Sequence, residues 1–377
     1  MVKKGAVFEE VSGPRRQASA PARKGSAAGA RTAIAAWLWG LAGLVAVMVL
    51  VGGLTRLTDS GLSITVWDPV MGAIPPLSQS GWEEAFAAYK TTTEFQVQNS
   101  AMTLAEFKPI YWWEWGHRFL GRVIGLVWAV GLGVFLWRRM VPPGWTPWLV
   151  VPGVLGGVQG AVGWWMVSSG LVGRLDVASY RLAVHLGLAF AILALLVWLA
   201  RRIRLPEAEA MQARRRRAGG LGLVAGFGAL AFLQIETGAL VAGIDAGRYY
   251  PEWPLMAGQF FPPDALSLEP VWRNLFENAG LVQFVHRMLA YALVGFGAYV
   301  AWRLWKRAEP VVRWHGLALG ATVFAQTVIG IWTAVNAAPL EIAIWHQAGA
   351  LVVAVVTVST AFALAYPPAK RLRPATA

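Results

Sequence analysis

Four of the five histidines in this chain of 377 residues recur as two related pairs. His117 is paired with His185 in the first half, and His286 is paired with His346 in the second half. Imidazole is the commonest metal ligand among side chains. An ionisable residue inside an apolar segment is costly and tends to be functional. The two pairs therefore predict two related metal or cofactor sites.

Heme is the cofactor that this arrangement favours. Two helices that face each other across a four-helix bundle can hold a cofactor between them, and imidazole is an axial ligand of heme iron. We therefore predict one heme between His117 and His185, and a second heme between His286 and His346. A single histidine in an apolar helix is more often a packing residue, so the duplication carries this inference. His315 lies outside the pattern and is interpreted as an interfacial residue.

One acidic residue distinguishes the two sites. Glu114 stands three residues before His117, whereas Gln283 stands three residues before His286. Residues at this spacing share one face of a helix. A carboxylate can accept a proton from a reacting group, and an amide cannot. We therefore predict a reactive first site, with Glu114 as its catalytic residue, and a supporting second site. The alternative is that Glu114 is an interfacial charge.

Three arginines are candidates for binding the anionic propionates of heme. Arg118 and Arg287 directly follow the first histidine of each pair, and Arg122 lies one helical turn beyond Arg118. Guanidinium groups form strong charge-assisted hydrogen bonds with carboxylates. The alternative is that these side chains extend to the membrane surface. Glu236 is another acid in an apolar segment, and its role stays open because the first half has no counterpart.

The elements that position these residues are predicted to be membrane-spanning helices. The chain is 56% hydrophobic and only 14% charged, which is too apolar for an ordinary soluble domain. Stretches of about 20 apolar residues, enough to cross a bilayer, recur along the sequence. We predict eight spans, at residues 33–55, 116–137, 146–168, 178–200, 219–243, 281–303, 314–336 and 341–366.

A weak internal repeat relates the first four spans to the last four. Gly52, Asp59, Gly61 and Trp67 recur as Gly238, Asp245, Gly247 and Trp253, and Gln159, Gly163 and Trp165 recur as Gln326, Gly330 and Trp332. Such a duplication favours two bundles related by an axis along the membrane normal. The predicted fold is therefore an all-α integral membrane protein, whose eight transmembrane helices form two four-helix bundles related by a pseudo-twofold axis.

The basic residues predict the orientation. Most of the 33 lysines and arginines lie in the two tails or after every second span, so the positive-inside rule places both termini in the cytoplasm. We predict a disordered cytoplasmic tail at residues 1–32, a basic linker at 206–218 and a second cytoplasmic tail at 367–377. The arginines of the linker are interpreted as facing anionic lipid and not nucleic acid.

Longer motifs around these residues resemble a known family. They include 52–58 (GGLTRLT), 60–64 (SGLSI), 112–118 (WWEWGHR), 163–167 (GWWMV), 238–243 (GALVAG), 283–287 (QFVHR) and 346–350 (HQAGA). With them, the chain resembles the heme A synthase family, in the branch found in mitochondria and alphaproteobacteria. The resemblance extends from about residue 35 to residue 365. The chain has no cysteine, so the cysteine pairs of another branch are absent.

The resemblance implies a membrane oxidoreductase that converts heme O to heme A for cytochrome oxidase, by stepwise oxidation of one ring methyl to a formyl group. It implies that the first half, residues 33–205, binds substrate heme O through the first histidine pair. The second half, residues 219–366, would hold a resident heme b through the second pair. The expected location is the bacterial cell inner membrane, and the mitochondrial inner membrane is the less favoured alternative. Candidate partners are a heme O synthase, an electron acceptor and a second copy of the chain.

A diheme electron-transfer protein of the membrane is the alternative function. It would use the same histidines without changing either heme. The difference between Glu114 and Gln283 favours the enzyme, because an electron carrier has no evident need for a base at one heme only. A transporter built on an inverted repeat is disfavoured, since an even number of spans in each repeat keeps both halves in one orientation.

Overall fold

The computed structural model describes residues 24–216, 219–307 and 309–368. Within these residues the chain forms twelve α-helices and no β-strand. Eight helices are long: α1 (Lys24–Leu57), α4 (Leu104–Trp137), α5 (Thr146–Val167), α6 (Ser179–Arg202), α8 (Leu221–Gly243), α10 (Ala279–Trp305), α11 (Pro310–Val335) and α12 (Leu340–Ala365). Four are short: α2 (Gln79–Tyr89), α3 (Thr93–Val97), α7 (Glu207–Arg215) and α9 (Asn274–Glu277).

The eight long helices have the length and composition of membrane spans. Even the shortest, α5 with 22 residues, is about 33 Å long at a rise of about 1.5 Å per residue. The hydrocarbon core of a bilayer is about 30 Å thick. The predictions of an all-α fold and of eight spans are therefore confirmed.

Helix α4 begins well before the predicted start of the second span at residue 116. The helix begins with a capping box. The Thr103 hydroxyl accepts a hydrogen bond from the Glu106 backbone N–H, and the Glu106 carboxylate accepts one from the Thr103 backbone N–H. The helical turns that follow contain aromatic and charged residues, so the apolar pattern of the sequence does not predict them as part of the span. As a result, Glu114 and His117 lie on one continuous helix.

The predicted tail at residues 1–32 is wrong in its last part, because α1 begins at Lys24. Alanines in this stretch are strong helix formers. Arg31 also anchors the helix, since its Nη1 donates to the carbonyl of Ile203 at 2.9 Å, just after the end of α6. Residues 1–23 lie outside the described part of the chain.

The predicted basic linker at residues 206–218 contains the short helix α7. Its first residue, Glu207, forms an ion pair of 2.6 Å with Arg202 at the end of α6, and Ala210 is buried against the end of α12. The linker therefore contacts the bundle through Glu207 and the buried alanines of α7, while most of its described residues are exposed. Its last two residues lie outside the described residues, as does most of the predicted tail at 367–377.

The long helices form two closed groups of four. In the first group α1 contacts α4 and α6, and α5 contacts α4 and α6; in the second α10 contacts α8 and α11, and α12 contacts α8 and α11. The groups meet where α6 contacts α8 and α12, and where α1 contacts α12. A twofold axis would pair the α6–α8 contact with the α12–α1 contact in this way. The twofold relation itself stays a prediction.

Two long connections lie at the histidine end of the helices, and we call them the outer loops: residues 58–103 and 244–278. The first contains α2 and α3, and its Tyr89 packs against Phe107 of α4 in a small aromatic core. Within it the Tyr89 hydroxyl donates to the buried carboxylate of Glu94 at 2.9 Å. Burial raises the pKa of Glu94 to about 7.

Candidate functional site

Each of the four paired histidines packs against a glycine of a neighbouring helix. The contacts are His117 with Gly52, His185 with Gly163, His286 with Gly238, and His346 with Gly330. A Cβ atom on these glycines would lie only 2.8–3.1 Å from the imidazole Cε1. An ordinary carbon–carbon contact is about 3.5–4.0 Å. Glycine is therefore the residue that lets each imidazole approach the neighbouring helix.

The second histidine pair has the spacing of two ligands on one metal. The ring centres of His286 and His346 are 6.4 Å apart, with an angle of 78° between the ring planes. A bond from imidazole nitrogen to a metal is about 2 Å, so two imidazoles on opposite sides of one metal have ring centres about 6 Å apart. The pair therefore fits the two axial ligands of one heme iron.

Glutamines on the neighbouring helices hold three of the four histidines. Gln159, Gln234 and Gln326 donate from Nε2 to the backbone carbonyls of His185, His286 and His346, at 2.9, 3.1 and 2.8 Å. The same nitrogens lie 3.1–3.2 Å from Nδ1 of these rings. Comparison of the repeats identified Gln159 and Gln326 but missed Gln234. The signal that could have found it is its spacing, four residues before a glycine, which all three glutamines share.

Glu114 is buried where α4 meets the first outer loop, and only 3% of the residue is exposed. Its Oε2 accepts hydrogen bonds from Ser63 Oγ and from the Ile64 backbone, both at 2.7 Å. Its Oε1 accepts from Arg118 at 2.6 Å. The carboxylate therefore joins α4 to the loop, and it is not an exposed interfacial charge.

Gln283 occupies the corresponding place in the second half and is equally buried. Its Nε2 donates to the carbonyl of Ala246 at 3.1 Å, and its Oε1 accepts from Arg287 at 3.2 Å. The amide thus donates to the loop where the Glu114 carboxylate accepts from it. Of these two buried groups, only Glu114 can take up a proton.

The three predicted arginines bind the outer loops. Arg118 donates to the carbonyls of Ile64 and Val66 at 2.8 and 3.0 Å, Arg122 to those of Asp68 and Pro69 at 2.7 and 2.8 Å, and Arg287 to those of Tyr250 and Leu255 at 2.8 and 3.1 Å. Their guanidinium groups therefore lie against the outer loops, and the alternative that they extend to the membrane surface stays open. Among the described residues, no hydrogen-bond partner reaches the buried atoms Arg122 Nη1 and Arg287 Nε. Each of these two arginines therefore retains a donor for an anion.

An ion cluster connects the two halves at the histidine end. Arg56 of α1 binds Asp59 at 2.8 Å, Asp245 of the second half at 2.9 Å and Asp176 at 3.3 Å. Burial raises the pKa of Asp176, and the nearby Arg56 opposes this shift. One guanidinium group thus holds three carboxylates together between the halves.

Two further ionisable residues lie apart from the histidine pairs. Glu236 of α8 lies against Gly187 of α6, where the two halves meet. His315 lies in the first turns of α11, about 20 Å along the helix from Gly330, and its Nδ1 lies 2.8 Å from the Val311 carbonyl. The structure therefore does not bring His315 to either site.

The fold and the site together define a class of protein: a helical membrane protein with eight spans, in two groups of four, and with histidine pairs seated on glycines. The family model described as "Cytochrome oxidase assembly protein" matches residues 35–358. The chain belongs to this family.

Curated relatives are similar over the whole length of the chain. It is 54% identical over 385 residues to the heme A synthase of Dinoroseobacter shibae, with 100% of both chains covered. It is 55% identical over 379 residues to the heme A synthase of Ruegeria pomeroyi, covering 99% of this chain and 100% of the relative. The heme A synthase of Paracoccus denitrificans is 51% identical over 327 residues, covering 86% and 85%. The expected resemblance is confirmed.

Proposed function

We propose that this chain is a membrane oxidoreductase that converts heme O to heme A, by stepwise oxidation of a ring methyl to a formyl group, and thereby serves cytochrome oxidase assembly. Family membership and identity to heme A synthases along the whole chain support this function. The structural observation that supports it best is the difference between Glu114 and Gln283 in otherwise matching sites. A duplicated electron carrier gives no reason for a carboxylate at one site only.

The two histidine pairs have different roles in this proposal. His117 and His185 bind the substrate heme O in the first half, and His286 and His346 hold a resident heme b in the second half. The spacing of the second pair supports this role, because both imidazoles could bind one heme iron. When bound, heme iron supplies the redox chemistry.

Glu114 receives protons that leave the reacting methyl group. Its carboxylate has about four acceptor positions, of which Ser63, Ile64 and Arg118 use three. The remaining position is on Oε1, which accepts from Arg118 alone. Because Glu114 and His117 share a face of α4, this oxygen lies on the side of the helix that carries the ligand.

The arginines orient each heme by binding its propionates. Arg122 Nη1 and Arg287 Nε are buried donors with no partner among the described residues, and such donors are costly unless an acceptor satisfies them. Arg118 contributes positive charge beside the first site, although its hydrogen bonds already go to the loop and to Glu114.

The reaction and the charge distribution define the surroundings of the enzyme. With water as the source of the formyl oxygen, oxidation of a methyl group to a formyl group releases four electrons and four protons, so the chain requires an electron acceptor. A heme O synthase is the source of the substrate. The basic segments favour a bacterial inner-membrane protein with both termini in the cytoplasm. Association with a second copy of the chain is a further expectation that size-exclusion measurements can address.

Mass analysis of the hemes extracted from purified protein tests the function. Wild type and Glu114→Gln would be produced in cells that supply heme O, with Glu84→Gln on the exposed face of α2 as the matched control. We expect heme A, or a hydroxylated intermediate, together with heme b in wild type and in the control. We expect heme O to accumulate in Glu114→Gln, because an amide cannot accept the proton.

Two outcomes would contradict parts of the proposal. If all three proteins carry only heme b while heme O is abundant, the chain is a diheme electron carrier. If Glu114→Gln produces as much heme A as wild type does, the chain is a heme A synthase in which Glu114 is not the proton acceptor.

A further inference from the structure

The contact between glycine and histidine occurs four times, and one of the four differs in its surroundings. In three cases a glutamine stands four residues before the glycine: Gln159 before Gly163, Gln234 before Gly238, and Gln326 before Gly330. In the fourth case Met48 stands four residues before Gly52. The first half therefore has one histidine, His117, whose neighbouring helix offers a thioether in place of an amide.

The amide fixes its histidine by hydrogen bonding. Each of the three glutamines bonds the histidine carbonyl and also lies close to Nδ1 of the ring. His286 has an additional partner, since Thr237 Oγ1 lies 3.1 Å from its Nδ1. A histidine that binds metal through Nε2 carries a proton on Nδ1 and donates it to an acceptor, which orients the ring and strengthens it as a ligand. The Thr237 hydroxyl can accept this proton, whereas the glutamine Nε2 is itself a donor and fixes its histidine through the backbone carbonyl.

His117 lacks these interactions. Its Nδ1 is buried, and no hydrogen-bond partner reaches it among the described residues. Met48 packs towards α4, where its Cε lies 3.4 Å from the position of a Cβ on Gly121, one turn beyond His117. Val51 stands where the second half has Thr237. Neither side chain can serve as the partner that Gln234 and Thr237 provide to His286.

We propose that His117 is the exchangeable axial ligand of the substrate heme, and that Met48 and Val51 are the positioning residues that keep it exchangeable. This inference rests on the proposed function, which requires heme O to enter the first site and heme A to leave it. An imidazole without a hydrogen bond can leave the iron at a lower cost than one that is held. His185 stays fixed by Gln159, so the heme retains one firm ligand while the other exchanges.

Heme release from single-site proteins tests the proposal. Full-length protein with His286→Ala and His346→Ala keeps only the first site, and protein with His117→Ala and His185→Ala keeps only the second. Each would be loaded with hemin, and transfer of hemin to excess apomyoglobin would be followed optically. In the first-site protein the variants are Met48→Gln with Val51→Thr, and Met48→Leu as an apolar control. In the second-site protein the variant is Gln234→Met with Thr237→Val.

The expected changes are opposite in the two sites. Loss of such a hydrogen-bond partner typically weakens metal binding about 10- to 100-fold, so we expect Gln234→Met with Thr237→Val to speed hemin release by about that factor. Met48→Gln with Val51→Thr slows release from the first site, and Met48→Leu does not. Carbon monoxide binding to the reduced first-site protein slows in parallel, because it requires an open axial position. If these residues had a purely structural role, the change in the rate of hemin release would not be opposite in sign at the two sites.

Unchanged release rates in both double variants would overturn the proposal. If the first-site variant does not fold, the second-site variant decides alone, because its wild type holds the ring by the same contacts. Heme release does not depend on conversion of heme O. If hemin release changes as expected in the variants that gain or lose the glutamine, but the protein converts no heme O, the result would support exchange at His117 and contradict the proposed function. If the protein converts heme O but the release rates do not change, the result would contradict only the exchange at His117.

Discussion

The close approach of His185 to Gly163 makes a sharp prediction for the first site. A Cβ atom at position 163 would lie 2.9 Å from His185 Cε1, and an ordinary contact needs about 3.5–4.0 Å. In Gly163→Ala the imidazole must therefore withdraw by about 0.5–1 Å. Functional side chains must be held to within about 0.5 Å of their working positions, so this displacement is large enough to disturb ligation.

The cost can be estimated from overpacking. Forcing an extra carbon into a packed site costs about 1–3 kcal/mol, which corresponds to about 5- to 150-fold weaker heme binding. The same helix provides a matched control, because outside its own helix backbone and chain neighbours no described atom lies within 4 Å of a Cβ on Gly160. Gly160→Ala should bind heme as wild type does, and it should gain up to about 1 kcal/mol of helix stability.

Equilibrium titration with hemin measures this difference. The first-site protein that carries His286→Ala and His346→Ala would be purified in detergent, and the Soret band would be recorded as hemin is added. We expect weaker binding and loss of the bis-imidazole spectrum in Gly163→Ala only. Equal affinities and equal spectra in Gly163→Ala and Gly160→Ala would refute the close approach of His185 to α5.

Three further predictions concern the histidine end of the molecule. Arg56→Gln should destabilise the protein by about 1–2 kcal/mol, because three partly exposed carboxylates lose their shared cation; an unchanged midpoint of thermal unfolding would contradict this. Arg118→Lys should speed proteolysis of the first outer loop, since an ammonium group does not match the planar array of acceptors; equal cleavage rates would argue otherwise. Burial raises the pKa of Glu94 from 4.5 to about 7, so the stability of this loop is full below pH 4.5 and falls as the pH rises through 7. Protease resistance in Glu94→Gln should not fall in this way, and a retained fall would exclude Glu94 as its cause.

The spans were predictable because hydrocarbon imposes a strong and local requirement on sequence. A stretch of about 20 apolar residues is needed wherever a helix crosses the bilayer, and eight such stretches were found and confirmed. The helix ends were less predictable, since polar turns outside the hydrocarbon continue a helix without any apolar signal. Lys24 and Thr103 mark two such ends.

The contacts around the site depended on the folded chain. Repeat comparison singled out Glu114, but it could not show that residues of the first outer loop, Ser63 and Ile64, bind its carboxylate. The three arginines were chosen for their charge, and the structure shows that they also bind loop carbonyls, which have no signature in sequence. Gln234 was missed because a comparison of the two halves picks out positions that have the same residue in both. The first half has Met48 at the position of Gln234, and this difference is what distinguishes the two sites.

Two differences between the halves that bear on the proposed roles lie on one side of the site. On the side of α5 and α6, the first half has Gln159 and its glycine contact as the second half has Gln326 and its own. On the side of α1 and α4, Glu114 replaces an amide and Met48 replaces a glutamine. A heme held firmly from one side and met by a carboxylate and a loosely held ligand on the other is suited to be changed and released. In the proposed function, the same scaffold with both sides firm keeps its heme, so the changes on this side distinguish the proposed substrate site from the proposed cofactor site.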